Sequence, residues 1–147
     1  MTFSFNAEQQ SFLDAVRRFA DTRVAPHAAE LDTTGMYPRA LVAEAATLGL
    51  MGLCVSAEHG GAARDYVTYA AAIEIVSSAS ATLAVILSVN NSLVSETIEQ
   101  FGSPLQRETW LGALARGQAI GSFALSEAEA GSDAAKQQTV ARLDDRG

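Results

Sequence analysis

Gly121 to Asp133 reads GSFALSEAEAGSD, a run that brings hydroxyls, carboxylates and glycine together. Ser126 and Ser132 offer hydroxyls, and Gly131 lets a backbone come close to a ligand. Successive turn amides can form an anion-binding nest. Glu127 and Glu129 are the nearest acidic candidates for proton abstraction, but a general base must lie within hydrogen-bond reach of the proton it takes. The same residue types also end strands and build turns, because Ser, Asp and Gly bond their own main chain or tolerate unusual backbone angles. At this level the stretch reads first as a turn, and the anion cradle is the weaker reading.

The other polar candidates are sparser. Cys54 is the single cysteine, so no internal disulfide forms. No Cys/His cluster has zinc-ligand spacing, and Cys54 reads as a small buried apolar residue. His27 follows Pro26 at a helix start, as a surface or capping histidine. His59 and Glu58 belong to a glycine turn, with His59 also a candidate for lining a channel. Tyr66, Tyr69 and Trp110 fall at helical spacing and are expected in the core or half-buried. Asn90, Asn91 and Ser92 interrupt an apolar helix. Burying them unpaired would cost about 1–3 kcal/mol each, so they either hydrogen-bond between helices or line a pocket. No residue is assigned as catalytic and none as a metal ligand.

These candidates sit in 147 residues, enough for one ordinary domain. Hydrophobic residues at 48% and charged residues at 18% give a globular balance. The formal charge of -7, with ten scattered Lys and Arg, argues against nucleic acid as a partner. The N-terminus lacks the pattern of a secretory signal. No stretch is expected to approach the roughly 18 apolar residues of a membrane span. The expectation is a soluble protein in a reducing, cytoplasmic compartment, without membrane contact.

The elements that position the candidates are mostly helical. Asn6 with Gln9 forms a capping box, and Phe12, Val16, Phe19 and Ala20 make one stripe. Pro26 interrupts, and a short piece continues to about Asp32. Pro38 opens a second helix that Gly49 stops. Gly60-Gly61 marks a turn, and Asp65 caps a third helix that breaks near Ser78 to Ser80. A fourth runs from about Ala81 to Phe101. Ser103-Pro104 with Gln106 caps a fifth, which ends at Gly117. After Gly117 the period changes: a strand is expected over Ile120–Leu125, a second over Thr139–Leu143, and a turn at DDRG. This divides the chain into a helical part, 1–117, and the beginning of a β-domain, 118–147.

In that order, EQQ…VRRFA…VAP, LGLMGLCVSAEHGG, SVNNSL, FG and IGSFALSEAEAGSD resemble the N-terminal part of the acyl-CoA dehydrogenase family across essentially the whole chain. SVNNSL with FALSE looks most like the short-chain, butyryl-type branch. The resemblance implies a mainly α fold, in which a helical bundle is followed by the first strands of an incomplete β-barrel. It implies FAD as cofactor and α,β-dehydrogenation of acyl-CoA thioesters. An electron-transfer flavoprotein would be the acceptor, and the intact enzyme a homotetramer.

By the same resemblance, Phe123 to Ser132 borders the flavin. Phe123, Leu125 and Ser126 would contact the ring, and the Ser126 hydroxyl would bond its polar edge. Ser132 would reach the cofactor pyrophosphate or the CoA ester side, and Asp133 would hold the turn. Leu87, Ser88 and Asn91 would line the acyl end of the pocket. The family's glutamate base lies in a C-terminal domain in most branches, so the chain alone is expected to be inactive. Ala128 stands where the family usually has Pro, which loosens the loop. Two rival readings remain at this stage: a non-catalytic helical interaction module or truncated product, and a flavin oxidase or monooxygenase on the same scaffold.

Overall fold

Each long helix begins at a side chain that satisfies its first amides. The computed structural model describes residues 4–142. Helix α1 (Ala7–Phe19) opens on Asn6, whose carboxamide accepts the Gln9 amide while the Gln9 side chain accepts the Asn6 amide. Helix α4 (Tyr66–Ala79) opens on Asp65, which accepts from the Val67 and Thr68 amides. Helix α7 (Pro104–Ala115) opens on a second capping box, Ser103 with Gln106. Such caps replace partners that the first turn of a helix lacks.

Proline at 26 bends the first helical run without ending it. After α1 the backbone loosens into a π turn (Ala20–Val24) and tightens into a 3₁₀ turn (Ala25–His27), then resumes as α2 (Ala28–Thr34). The altered turns absorb the amide that proline cannot donate. Arg23 in the π turn holds Glu44 of α3 (Arg39–Thr47) through two nitrogens at 2.7 and 2.8 Å. Gly49 follows α3 with φ 76°, the left-handed stop its position predicts.

Ser80 both ends α4 and starts the next helix, its hydroxyl accepting the Leu83 amide. That helix is interrupted: α5 (Ala81–Ser88), a π turn (Val89–Ser95), then α6 (Glu96–Phe101). The core gathers between these elements, around Leu13, Val16, Phe19, Met51, Leu83 and Leu87. The 21-residue run Ala81–Phe101 is long and apolar enough to cross a membrane by length and composition. This corrects the expectation that no stretch approaches a span. The expectation counted uninterrupted apolar residues, and Asn90, Asn91 and Ser92 interrupt this run. Here the run packs against α3, α4 and α7.

The expected strand over Ile120–Leu125 is not formed. Among the described residues its members have no ladder partner, and the one β-bridge there joins Glu127 to Ala130 across a tight turn. Alternation alone makes no strand, because the ladder needs a neighbour. Thr139 to Arg142 are likewise irregular, while Leu143 and the DDRG turn lie outside the described residues. The helical bundle is as expected, and among the described residues no strand follows it. Tyr66 and Trp110 correct a further expectation, being 62% and 53% exposed. Tyr69 is half-buried as expected.

Candidate functional site

The candidate residues fall on two surfaces joined at one side chain. The first is the segment after Gly117; the second is the run α5–π turn–α6. Asn90 joins them. It is completely buried. Its carboxamide oxygen accepts the Gly121 amide at 2.9 Å, and its nitrogen donates to the Met51 carbonyl at 2.8 Å. A second, longer contact at 3.5 Å reaches the Leu114 carbonyl. Gly121 also presses on the helix: a Cβ there would lie 2.4 Å from Val94 Cγ1. Only glycine allows that approach.

From Gly121 the chain runs outward. Phe123 and Leu125 are 44% and 41% exposed, and Ser126 is exposed. Among the described residues, no group accepts the backbone amides of Ser122 to Ser126. This segment therefore presents donors, an aromatic ring and a hydroxyl to whatever packs on it. The chain then folds back through the Glu127–Ala130 turn, with bonds of 2.8 and 3.2 Å. Gly131 has no left-handed φ and nothing within 4 Å of a Cβ position. Nothing in the described chain itself requires glycine there. Ser132 is exposed, and the Asp133 carboxylate pairs with Lys136 at 3.3 Å while making no side-chain bond to the turn backbone.

Glu127 is spent within the segment. Its carboxylate accepts the Gln138 amide at 2.7 Å, the Thr139 amide at 3.0 Å and the Thr139 hydroxyl. These bonds, the Gln138 amide foremost, hold its pKa below the ordinary carboxylate range. A base tuned for proton abstraction is shifted the other way. Glu127 thus acts as a brace.

On the helix run the polar residues divide by face. Asn91 is fully buried: its oxygen accepts the Leu53 amide at 2.7 Å, and its nitrogen donates to the Leu50 and Leu87 carbonyls, both at 2.8 Å. Leu87 is also fully buried. Neither residue reaches an open surface here, so the helix-to-helix bonding reading describes Asn91. Ser88 is half-buried, with its hydroxyl 3.1 Å from the Tyr69 hydroxyl. The open face instead carries Val85 and Leu93, 60% and 42% exposed, with half-buried Val89 between them. The sequence reading missed this apolar row because it followed the polar interruption rather than the helix face.

The remaining candidates have local partners. Burial, then the charges of Glu96, Glu99 and Asp65, push the Cys54 thiol up to about 11. His59 Nδ1 lies 2.9 Å from the Ser56 hydroxyl and 3.8 Å from Glu99. Both contacts use the same ring nitrogen, so this is no Ser–His–acid relay, which needs one partner on each nitrogen. His27 is exposed beside Glu30. No metal-binding group of His, Cys, Asp and Glu occurs among the described residues. A groove of about 740 Å³ between α1 and α4 is lined by one of these candidates, Tyr66, and by none of the residues after Gly117.

Comparison with known proteins follows the same lines. Residues 6–118 match the family model described as acyl-CoA dehydrogenase, N-terminal domain. A relative from Clostridium acetobutylicum, named acyl-CoA dehydrogenase, short-chain specific, is 40% identical over 144 residues, covering 98% of this chain and 38% of the relative. Among solved structures, butyryl-CoA dehydrogenase from Megasphaera elsdenii superposes with TM-score 0.86 at 35% identity, covering 95% of this chain and 37% of that one. A glutaryl-CoA dehydrogenase from Mycobacterium smegmatis in complex with FADH2 gives TM-score 0.88 at 31% identity, over 96% of this chain and 36% of that one. The chain thus spans less than two fifths of the length of these proteins.

Proposed function

The chain belongs to the acyl-CoA dehydrogenase family, and on that footing we propose that it supplies one wall of a flavin site in an enzyme that dehydrogenates short acyl-CoA thioesters. The observation that carries this reading is the segment Ser122–Ser126, whose amides find no acceptor among the described residues and whose Phe123, Leu125 and Ser126 face outward. That donor set fits FAD. Amides and a hydroxyl on the polar edge of the ring favour its electron-rich form. The room at Gly131 fits close approach of a phosphate or thioester beside Ser132. When bound, the flavin supplies the acceptor for the hydrogen leaving the β-carbon.

In this reading Phe123, Leu125 and Ser126 orient the ring, and Ser132 serves the pyrophosphate or the CoA side. The acyl chain lies along Val85, Val89 and Leu93 on the open helix face, not along buried Leu87 and Asn91. Ser88 remains at the margin, held by Tyr69. The short-chain relative and the butyryl-CoA dehydrogenase favour short substrates. The base that takes the α-proton comes from outside this chain, which is inactive alone. Residues 1–117 form its helical domain and 118–147 begin the next. An electron-transfer flavoprotein takes the electrons, the whole enzyme is a homotetramer, and it works in the cytoplasm.

The test is anaerobic titration of the full-length protein carrying this chain with butyryl-CoA, followed at the visible flavin bands. Bleaching with butyryl-CoA, and little with long-chain acyl-CoA, is expected. No bleaching with any saturated acyl-CoA contradicts the reading.

A further inference from the structure

We propose that Asn90 is a positioning residue for the flavin-facing segment, setting through its bond to the Gly121 amide the point from which Phe123 to Ser126 leave the helical bundle. The inference rests on the reading of that segment as flavin-facing. Asn90 carries the role because its carboxamide meets three parts of the fold at once. Its oxygen takes Gly121, the segment's start. Its nitrogen takes Met51 in the turn after α3, with Leu114 at the end of α7 at longer range. It is fully buried, so no water competes for these bonds.

Two features make the pin directional. The π turn Val89–Ser95 sits under it, and π turns re-aim side chains that a regular helix would direct elsewhere. Val94, in the same turn, meets Gly121 so closely that a Cβ there would lie 2.4 Å from its Cγ1. A hydrogen bond and a steric stop therefore fix one residue from opposite causes. From Gly121 to Ser126 no backbone amide beyond that of Gly121 finds an acceptor among the described residues. An error at the pin is carried outward to the donors that face the ring, with no strand neighbour among the described residues to correct it.

The experiment uses the full-length protein and reads flavin affinity, visible absorption maxima and unfolding midpoint. Asn90→Leu removes both bonds at similar volume. Asn90→Asp keeps the acceptor for Gly121 and replaces the nitrogen that donates to the Met51 and Leu114 carbonyls. Positioning predicts a flavin Kd about tenfold higher and shifted maxima for Asn90→Leu, as expected for losing one buried bond. Asn90→Asp should stay within about threefold of the parent in affinity even where its unfolding midpoint falls. If both variants lose stability alike while Asn90→Leu keeps parental affinity and maxima, the residue is merely structural and the proposal is overturned.

Should Asn90→Leu fail to fold, the steric half of the pin decides. Gly121→Ala should weaken flavin binding with Asn90 untouched, and adding Val94→Ala, which removes the contacts to both Cγ atoms but leaves the one to Val94 Cβ at 2.7 Å, should restore it in part. Unchanged binding in Gly121→Ala overturns the proposal. A parent protein that holds no flavin would instead overturn the functional reading on which it rests.

Discussion

The Asn91 carboxamide oxygen accepts the Leu53 amide at 2.7 Å, tying the middle of the central helix to the link after α3. The same side chain donates to Leu50 and Leu87. Asn91→Ala strands the Leu53 amide and the Leu50 carbonyl in the core, and each orphan costs about 1–3 kcal/mol. Chemical denaturation should show a loss of about 2–4 kcal/mol. A loss below about 0.5 kcal/mol would mean water or rearrangement replaces the bonds.

The open face predicts substrate selection. Val85→Phe should narrow the acyl channel in the full-length enzyme and lower kcat/KM for hexanoyl-CoA relative to butyryl-CoA. The expected change is about 10–200-fold, the range of a methylene-scale discrimination. Leu87→Val, on the buried side, should lower stability and leave the ratio unchanged. Steady-state kinetics across an acyl-CoA series separates the two.

Asp65 gives a pH dependence with a fixed sign. Bonds from the Thr68 hydroxyl and amide, then from Gln9, hold its carboxyl at about 2, against about 3.9 for an unfolded aspartate. A lowered folded pKa means the contribution is present above about pH 4 and lost as pH falls toward about 2. The side chain is exposed, so the effect is small. Asp65→Asn keeps a capping oxygen and removes the titration. Unfolding midpoints measured from pH 5 to pH 2 should fall less steeply in Asp65→Asn than in the parent.

Cys54 should be unreactive while the protein is folded. With the thiol pushed up to about 11, its thiolate is scarcer at pH 8 by about two orders of magnitude than that of a free cysteine near 8.5. Alkylation with iodoacetamide should be slow in buffer and at least tenfold faster in guanidinium. Equal rates would show that the thiol is already open.

How much of this was legible in the sequence follows the range of the forces involved. The caps at Asn6, Asp65 and Ser103 were legible because the cap and its amides lie within one turn of each other. The strand over Ile120–Leu125 was misread because alternation reports only one side of a ladder, and none of the described residues pairs with this segment. Asn90 and Asn91 were noticed as polar residues in an apolar helix. Their roles were not separable, because the π turn changes the angular step and so the face each presents. The Val85–Val89–Leu93 row went unseen because ordinary apolar residues become informative only when the fold leaves them open.

The central claim is that this chain is one wall of a flavin site that other segments complete. The direct measurement adds FAD to the purified chain and to the full-length protein, removes the excess, and records both visible spectra. The account predicts no retained flavin on the chain alone and stoichiometric flavin on the full-length protein. Stoichiometric flavin on the chain alone, or none on the full-length protein, would contradict it.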